Sequence, residues 1–167
     1  MYYSADPDGR WVKTGSKSTL GDKGFVRANE DGFIDRVHTK PTNCAESPEF
    51  GIMIEGALLQ AILADRSYVR RANREMLVGK HRDGIMQKAA RGRPPRACEK
   101  RFDKLISKRR FRGEQCFGTL KRLFGLARTR YFGRAKTHAQ LAMAASGQNL
   151  LKVANKINFN PNTPAIS

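Results

Sequence analysis

Short apolar clusters separated by polar residues fill the first third of the chain, and this pattern predicts strands. The predicted strands are residues 20–28 and residues 33–39, two short runs that flank a segment of turn residues. Between them, residues 29–32 are Asn-Glu-Asp-Gly, and a glycine in that place supplies the positive φ of a tight turn. We therefore predict an antiparallel hairpin, followed by a loop around Pro41 and Pro48.

Denser apolar runs follow the hairpin and predict short buried elements. Residues 58–64 are Leu-Leu-Gln-Ala-Ile-Leu-Ala and end at Asp65, which is typical of a buried central strand. We predict short helices over residues 50–58 and 69–78. Another short strand is expected to begin at residues 84–86.

The last third of the chain predicts two long amphipathic helices after a loop at residues 90–96, which contain two prolines. The second helix is expected over residues 139–157, and we predict a disordered tail at residues 159–167. Strands first, with interleaved and terminal helices, indicate an α/β or α+β sheet domain over residues 1–158. In the first helix, apolar residues recur at near-helical spacing with Arg and Lys between them: Phe102, Leu105, Ile106, Cys116, Phe117, Leu120, Leu123 and Phe124.

Composition narrows the class of protein. A chain of 167 residues corresponds to about one domain. No run approaches the ~18 consecutive apolar residues of a membrane span, and the N-terminus lacks the regions of a signal peptide. Three cysteines without a paired spacing indicate reduced thiols and no zinc ribbon.

The charge is the unusual property, and it is concentrated in one block. The chain has 32 Lys and Arg against 15 Asp and Glu, for a net charge of +17. Residues 1–65 have a net charge of −3, residues 66–136 of +18 and residues 137–167 of +2. Such a density favours a phosphate-binding surface and therefore a nucleic-acid partner.

Two carboxylates lie where they could carry chemistry. Asp65 directly follows the predicted buried strand, and strand ends are where α/β folds place ligand and metal groups. Glu114 is the only acid after Asp103. It could form an intrahelical ion pair with Arg110, but its spacing to Phe117 and Leu120 predicts that it faces the core. A carboxylate there needs a cation, which a metal shared with Asp65 would supply.

The helical segment and several shorter motifs together resemble bacterial insertion-sequence transposases of the DDE type. Residues 106–126 contain a Glu, two spacers, Phe-Gly, one spacer and Leu-Lys-Arg, which is the closing signature of those proteins. The resemblance extends from about residue 6 to about residue 155. The other stretches that agree in order are Asp6-Pro7-Asp8, Trp11, Gly32-Phe33-Ile34, Val37-His38-Thr39, Leu63-Ala64-Asp65-Arg66, Asn73-Arg74, Asp83-Gly84-Ile85-Met86 and Arg130-Tyr131 with Gln140-Leu141.

The resemblance implies a ribonuclease-H-like domain, a mixed sheet flanked by helices, whose Asp, Asp and Glu hold two Mg²⁺ or Mn²⁺ ions. Such ions activate a hydroxyl and neutralise the leaving oxygen at a phosphodiester. Asp65 corresponds to the second catalytic Asp and metal ligand, and Glu114 to the catalytic and metal-binding Glu. The implied partners are double-stranded DNA at transposon ends and a homodimer or a heterodimer with a full-length transposase, in the cytoplasm at the bacterial nucleoid. The expected DNA-binding residues are Arg91, Arg93, Lys108, Arg109, Arg110, Arg112, Lys121 and Arg122.

Departures from the family pattern predict a truncated and inactive copy. The family's first catalytic Asp lies on a strand upstream of Asp-Pro-Asp, and this chain begins only five residues before that segment. Its Tyr-Gly-Tyr-Lys is replaced by Leu20-Gly21-Asp22-Lys23, and Gly113 precedes Glu114 where a valine is usual. We therefore expect the sheet to lack its first strand and the chain alone to lack strand-transfer activity.

Other classes of function remain as alternatives. Residues 91–94, Arg-Gly-Arg-Pro, match the core of an AT-hook, which lays an extended Arg-Gly-Arg into a narrow A·T minor groove. A non-catalytic basic DNA-binding protein is therefore the second hypothesis. A ribosomal-type RNA-binding protein is disfavoured by the lack of aromatic-rich strands, and an anionic-membrane binder by the lack of a wide apolar face.

Overall fold

A computed structural model describes residue 6 and residues 8–89, 92–128 and 130–158. The predicted tail at 159–167 lies outside the described residues. The strands are β1 (Arg10–Thr14), β2 (Lys17–Ala28), β3 (Ile34–Pro41), β4 (Ala61–Ala64) and β5 (Arg82–Ile85). The helices are α1 (Phe50–Ile54), α2 (Arg71–Glu75), α3 (Ala97–Leu123) and α4 (Arg134–Asn158), with single 3₁₀ turns at Ser47–Glu49 and Arg66–Tyr68.

The predicted hairpin is confirmed as β2 and β3, which pair antiparallel with Val26 opposite Val37. Gly32 has a φ of 78°, and its backbone N–H donates to the carbonyl of Asn29 at 2.9 Å. The Asn29 side chain accepts from the backbone of Phe33, so the turn is closed on both sides. Strand β1, which the sequence pattern did not predict, pairs with the first part of β2.

The apolar run before Asp65 forms a shorter strand than predicted. Strands β4 and β5 pair in parallel from Ala61 opposite Arg82 to Ala64 opposite Ile85. Leu58 lies outside this ladder and is 98% exposed, so the prediction of a buried strand from residue 58 is wrong at its start. An apolar run alone does not determine where a strand begins, because pairing can start only where a partner strand is available.

Two apolar clusters hold these elements together. In the first, α3 and α4 cover the hairpin with buried residues that include Ile34, Leu120 and Leu141. In the second, helical segments and Leu77 enclose the parallel pair β4 and β5 around Ile85. Helix α3 contacts both β2 and β4, so it connects the two parts of the fold.

The α/β class is confirmed, but the described strands do not form one sheet. They form a three-stranded antiparallel sheet in the order β1-β2-β3 and a two-stranded parallel sheet of β4 and β5. A single mixed sheet of the ribonuclease-H-like kind therefore stays a prediction.

Candidate functional site

Asp65 lies at the end of β4, as its place in the sequence predicts. Its carboxylate begins the 3₁₀ turn Arg66–Tyr68 by accepting a hydrogen bond from the backbone N–H of Arg66 at 2.6 Å. The side chain is nevertheless 53% exposed. One carboxylate oxygen is thus used by the backbone, and the group remains accessible to solvent and ligands.

The predicted orientation of Glu114 is wrong. Its side chain is 60% exposed, and the buried residues of α3 are Asp103, Ile106, Cys116 and Leu120. Phe117 is itself 37% exposed, so its spacing to Glu114 does not indicate the core face. The helical positions of Cys116 and Leu120 set the direction of the core, and Glu114 lies beside that face.

Arg110 brings the two carboxylates together. Its Nη1 atom lies 3.9 Å from Oδ1 of Asp65 and 4.0 Å from Oε1 of Glu114. The same atom lies 3.4 Å from the sulfur of Met86, which follows β5. Because both oxygens lie about 4 Å from one nitrogen, they are at most about 8 Å apart. The ion pair of Glu114 with Arg110 within α3 therefore does not exclude a position of Glu114 near Asp65.

The two acids suit a hard divalent cation as a partial ligand set. Carboxylate oxygens are the ligands that Mg²⁺ prefers, and the ion usually keeps several waters, which exposed side chains allow. Among the residues that the structure describes, no three His, Cys, Asp or Glu side chains form a group that could hold a metal ion. Arg110 offsets one of the two negative charges, and a metal would compete with this guanidinium for the same oxygens.

A buried acid that the sequence pattern did not single out supports the site. Asp103 of α3 accepts from Nη2 of Arg66 at 3.0 Å and from the backbone N–H of Gln87 at 2.8 Å. It therefore ties the segments that follow β4 and β5 to α3. The available signal was Asp103's place among the core-facing positions of α3, since a buried acid needs partners.

Tyr68 is the last residue of the 3₁₀ turn that Asp65 caps, and it packs against Phe50 with ring centroids 5.6 Å apart. Burial, followed by the negative charges of Glu46 and Asp65, raises the pKa of its phenol to about 12. The phenol of Tyr68 therefore stays protonated well above neutral pH.

The structure distributes the predicted DNA-binding residues over different surroundings. Lys108, Arg109, Lys121 and Arg122 are exposed and form no ion pair with the part of the chain that is described. Arg112 is also exposed, although it donates to the carbonyl of Glu30 in the hairpin turn at 2.6 Å.

Arg110, by contrast, is mostly buried between the carboxylates, with 22% of its side chain exposed. Arg91 lies outside the described residues. Arg93 is paired with Glu99 at 2.8 Å, so inserting it into a DNA groove would break an ion pair.

The sequence reasoning missed two cations of α3. Arg101 and Lys104 are exposed and precede Lys108 and Arg112 at spacings of three and four residues, which place side chains on one face of a helix. We call Arg101, Lys104, Lys108 and Arg112 the α3 cation stripe. The eleven helical steps from Arg101 to Arg112 extend about 16 Å along the helix axis.

Comparisons with known proteins identify the family of the chain. A family model described as a transposase DDE domain matches residues 4–150. The chain is 37% identical over 156 residues to a protein of Neisseria meningitidis serogroup B, the transposase for insertion sequence element IS1106. The match covers 92% of this chain and 54% of the relative, so the chain spans about half the length of that curated relative.

No solved structure matches the chain. Within the described residues, no helix has both the length and the apolar composition needed to cross a membrane. The family match covers most of the sequence and is supported by a relative of clear similarity. The chain therefore belongs to the DDE transposase family of insertion sequences.

Proposed function

We propose that this chain is a DNA-binding part of an insertion-sequence transposase that carries two of the acids of a metal-dependent DNA-cleaving site. The observation that carries the proposal is the convergence of Asp65 and Glu114 on Arg110. It places carboxylates from the end of β4 and from α3 beside a strongly cationic helix. The proposed ligand is double-stranded DNA at transposon ends.

The α3 cation stripe supports binding to the phosphate backbone. Its length of about 16 Å corresponds to about five base-pair steps measured along the DNA axis, at about 3.4 Å each. Contacts of this kind position the protein on DNA and carry no sequence information themselves. Lys121 and Arg122 extend the cationic surface towards the end of the helix. The chain is expected at the bacterial nucleoid for the same electrostatic reason.

Asp65 and Glu114 are the proposed ligands of Mg²⁺ or Mn²⁺. A bound ion would activate a water or a 3′-hydroxyl and neutralise a leaving oxygen of the phosphodiester. The chain's own contribution is to hold both carboxylates near Arg110 and, through the Asp103–Arg66 pair, to fix the segments that precede α3. The described residues supply two such acids, so we propose that the chain alone binds DNA without cleaving it.

A full-length transposase is the proposed protein partner. A homodimer or a mixed dimer could bring a further carboxylate to DNA already held by α3. Cleavage would then depend on the partner, and this chain would act as a competitor for transposon ends when it binds alone.

The DNA-binding proposal is tested with a fluorescent duplex of about 30 base pairs and fluorescence anisotropy at several salt concentrations. Replacing Lys104 and Lys108 by glutamine should reduce the slope of log K against log salt by about 2, since each phosphate contact contributes about 0.9. Lys156→Gln is the matched control, because Lys156 lies on α4 and pairs with Asp31. Equal slopes in all three proteins would contradict the assignment of α3.

Plasmid nicking in Mn²⁺ tests the second part of the proposal. The chain alone should leave supercoiled plasmid intact. Nicking that is lost in Asp65→Asn would contradict the proposed inactivity and support the metal site. Nicking that persists in Asp65→Asn and in Glu114→Gln would indicate a contaminating nuclease.

A further inference from the structure

Residues 10–20 form a two-stranded ribbon that projects from the fold. It consists of β1 and the start of β2, paired from Arg10 opposite Gly21 to Thr14 opposite Lys17. Lys13 and residues 15–19 are all exposed. A ribbon of two strands gains little stability by itself. Because both of its faces are exposed, the ribbon offers a surface that a partner could cover.

The ribbon combines an exposed indole with unpaired cations. Trp11 is the single tryptophan of the chain and is 64% exposed. Lys13 lies two residues further along the same face, and Lys17 lies on the opposite face across from Thr14. Neither lysine forms an ion pair with the described residues, and residues 9–21 contain no acid.

The base of the ribbon is anchored to the beginning of α4. Oδ1 of Asp6 accepts from the backbone N–H groups of Gly9 and Gly133, at 3.2 and 3.1 Å. Oδ2 of Asp8 accepts from the backbone N–H of Arg134 at 3.0 Å. These bonds join the residues just before β1 to the beginning of α4, a helix of the first apolar cluster. They therefore fix the base of the ribbon relative to that helix.

We propose that this ribbon is a second DNA-contacting element, separate from α3. Lys13 and Lys17 bind phosphates on either side of the ribbon, and Trp11 packs against the sugar-phosphate edge. The dimensions fit, because the major groove of DNA admits a two-stranded β-ribbon. Contacts to phosphate and sugar carry no sequence information, so the ribbon adds affinity and orientation to any sequence.

Charge favours DNA over a protein partner for this surface. Beside Trp11 the ribbon offers only the half-buried Val12 and Leu20 as large apolar residues, which is too little for the apolar core of a protein interface. Two free lysines without an acid are instead complementary to a polyanion. This inference rests on the proposed function, since it assumes that the chain binds DNA.

Tryptophan fluorescence tests the ribbon directly, because Trp11 is the only tryptophan. The complete chain is titrated with an unlabelled duplex of about 30 base pairs, while anisotropy of a labelled duplex reports binding independently. We expect quenching of Trp11 emission and protection from acrylamide, with the same midpoint as the anisotropy change. Binding that leaves Trp11 emission and acrylamide access unchanged would overturn the ribbon while leaving the α3 proposal intact.

Substitutions supply a second measurement. The double variant Lys13→Gln, Lys17→Gln should lower the salt slope of DNA binding by about 2, whereas Lys156→Gln should not. Circular dichroism should show the same thermal transition in both variants, since the two ribbon lysines are exposed and unpaired. An unchanged slope in the ribbon variant would contradict the inference.

Two further outcomes separate the possible failures. Absence of any anisotropy change would overturn the proposed function and the ribbon together. Quenching of Trp11 by vesicles of phosphatidylserine and phosphatidylcholine, without quenching by DNA, would overturn the ribbon as a DNA contact and assign it to an anionic membrane surface.

Discussion

Replacing Arg110 by glutamine should strengthen the binding of Mn²⁺ to the pair Asp65 and Glu114. In the protein, Nη1 of Arg110 lies 3.9 and 4.0 Å from the two carboxylates and occupies the place of their counter-cation. A metal ion must compete with this guanidinium for both acids. Glutamine keeps much of the side chain's length and removes its charge.

The magnitude follows from the two ion pairs. Unit charges 4 Å apart attract by about 1 kcal/mol in water, and measured exposed pairs contribute about 0.2–1 kcal/mol. The carboxylates are 53% and 60% exposed, so the lower, screened range applies to each. Two pairs then sum to about 0.4–2 kcal/mol, which corresponds to about 2- to 30-fold tighter metal binding.

Isothermal titration with Mn²⁺ at low ionic strength measures this change. Lys108→Gln is the matched control, because it removes one α3 cation that contacts neither acid. Adding Asp65→Asn to Arg110→Gln should return the affinity to the original value or below it. An affinity that falls in Arg110→Gln would refute the reasoning, since it would mean that Arg110 orders the site more than it competes with the metal.

Three further predictions concern the fold that carries the site. Gly113→Ala should raise the free energy of unfolding by about 1 kcal/mol, because a Cβ at this position meets nothing within 4 Å. Gly147→Ala should lower the free energy of unfolding, because its Cβ would lie 2.7 Å from the Phe124 ring. Urea unfolding measures both variants, and equal effects would contradict the packing of Phe124 on Gly147. Leu120→Ala should lower the free energy of unfolding by about 2–5 kcal/mol in the same assay, since Leu120 is 1% exposed. A smaller loss would contradict the close packing of Leu120. Tyr68, with its pKa raised to about 12 from 10.0, keeps its proton in the folded chain after an unfolded tyrosine loses it. The stabilisation that the Tyr68 phenol contributes is therefore complete below pH 10 and is lost as the pH rises through 12. Tyr68→Phe should flatten the decline of the unfolding free energy above pH 10. A decline that is the same in both proteins would contradict the raised pKa of Tyr68.

Local pattern in the sequence determined several features of this protein. Two short runs on either side of a turn that ends in glycine predicted the hairpin of β2 and β3, which Gly32 closes with a φ of 78°. Apolar spacing predicted two long helices, observed as α3 and α4. The apolar run before Asp65 predicted that this acid follows a strand, although the strand begins only at Ala61. These properties depend on neighbours within a few residues, which is why periodicity reveals them.

Tertiary structure decided where the two acids lie relative to each other. The four-residue spacing already offered a pair of Glu114 with Arg110, but the packing of α3 through Cys116 and Leu120 left Glu114 exposed and brought Arg110 near Asp65. The 64% exposure of Trp11 likewise depended on β1 lying at the edge of its sheet, where it pairs with β2 only. Ion pairs and exposure depend on distances between elements far apart in the chain, and a local pattern contains no information on those distances.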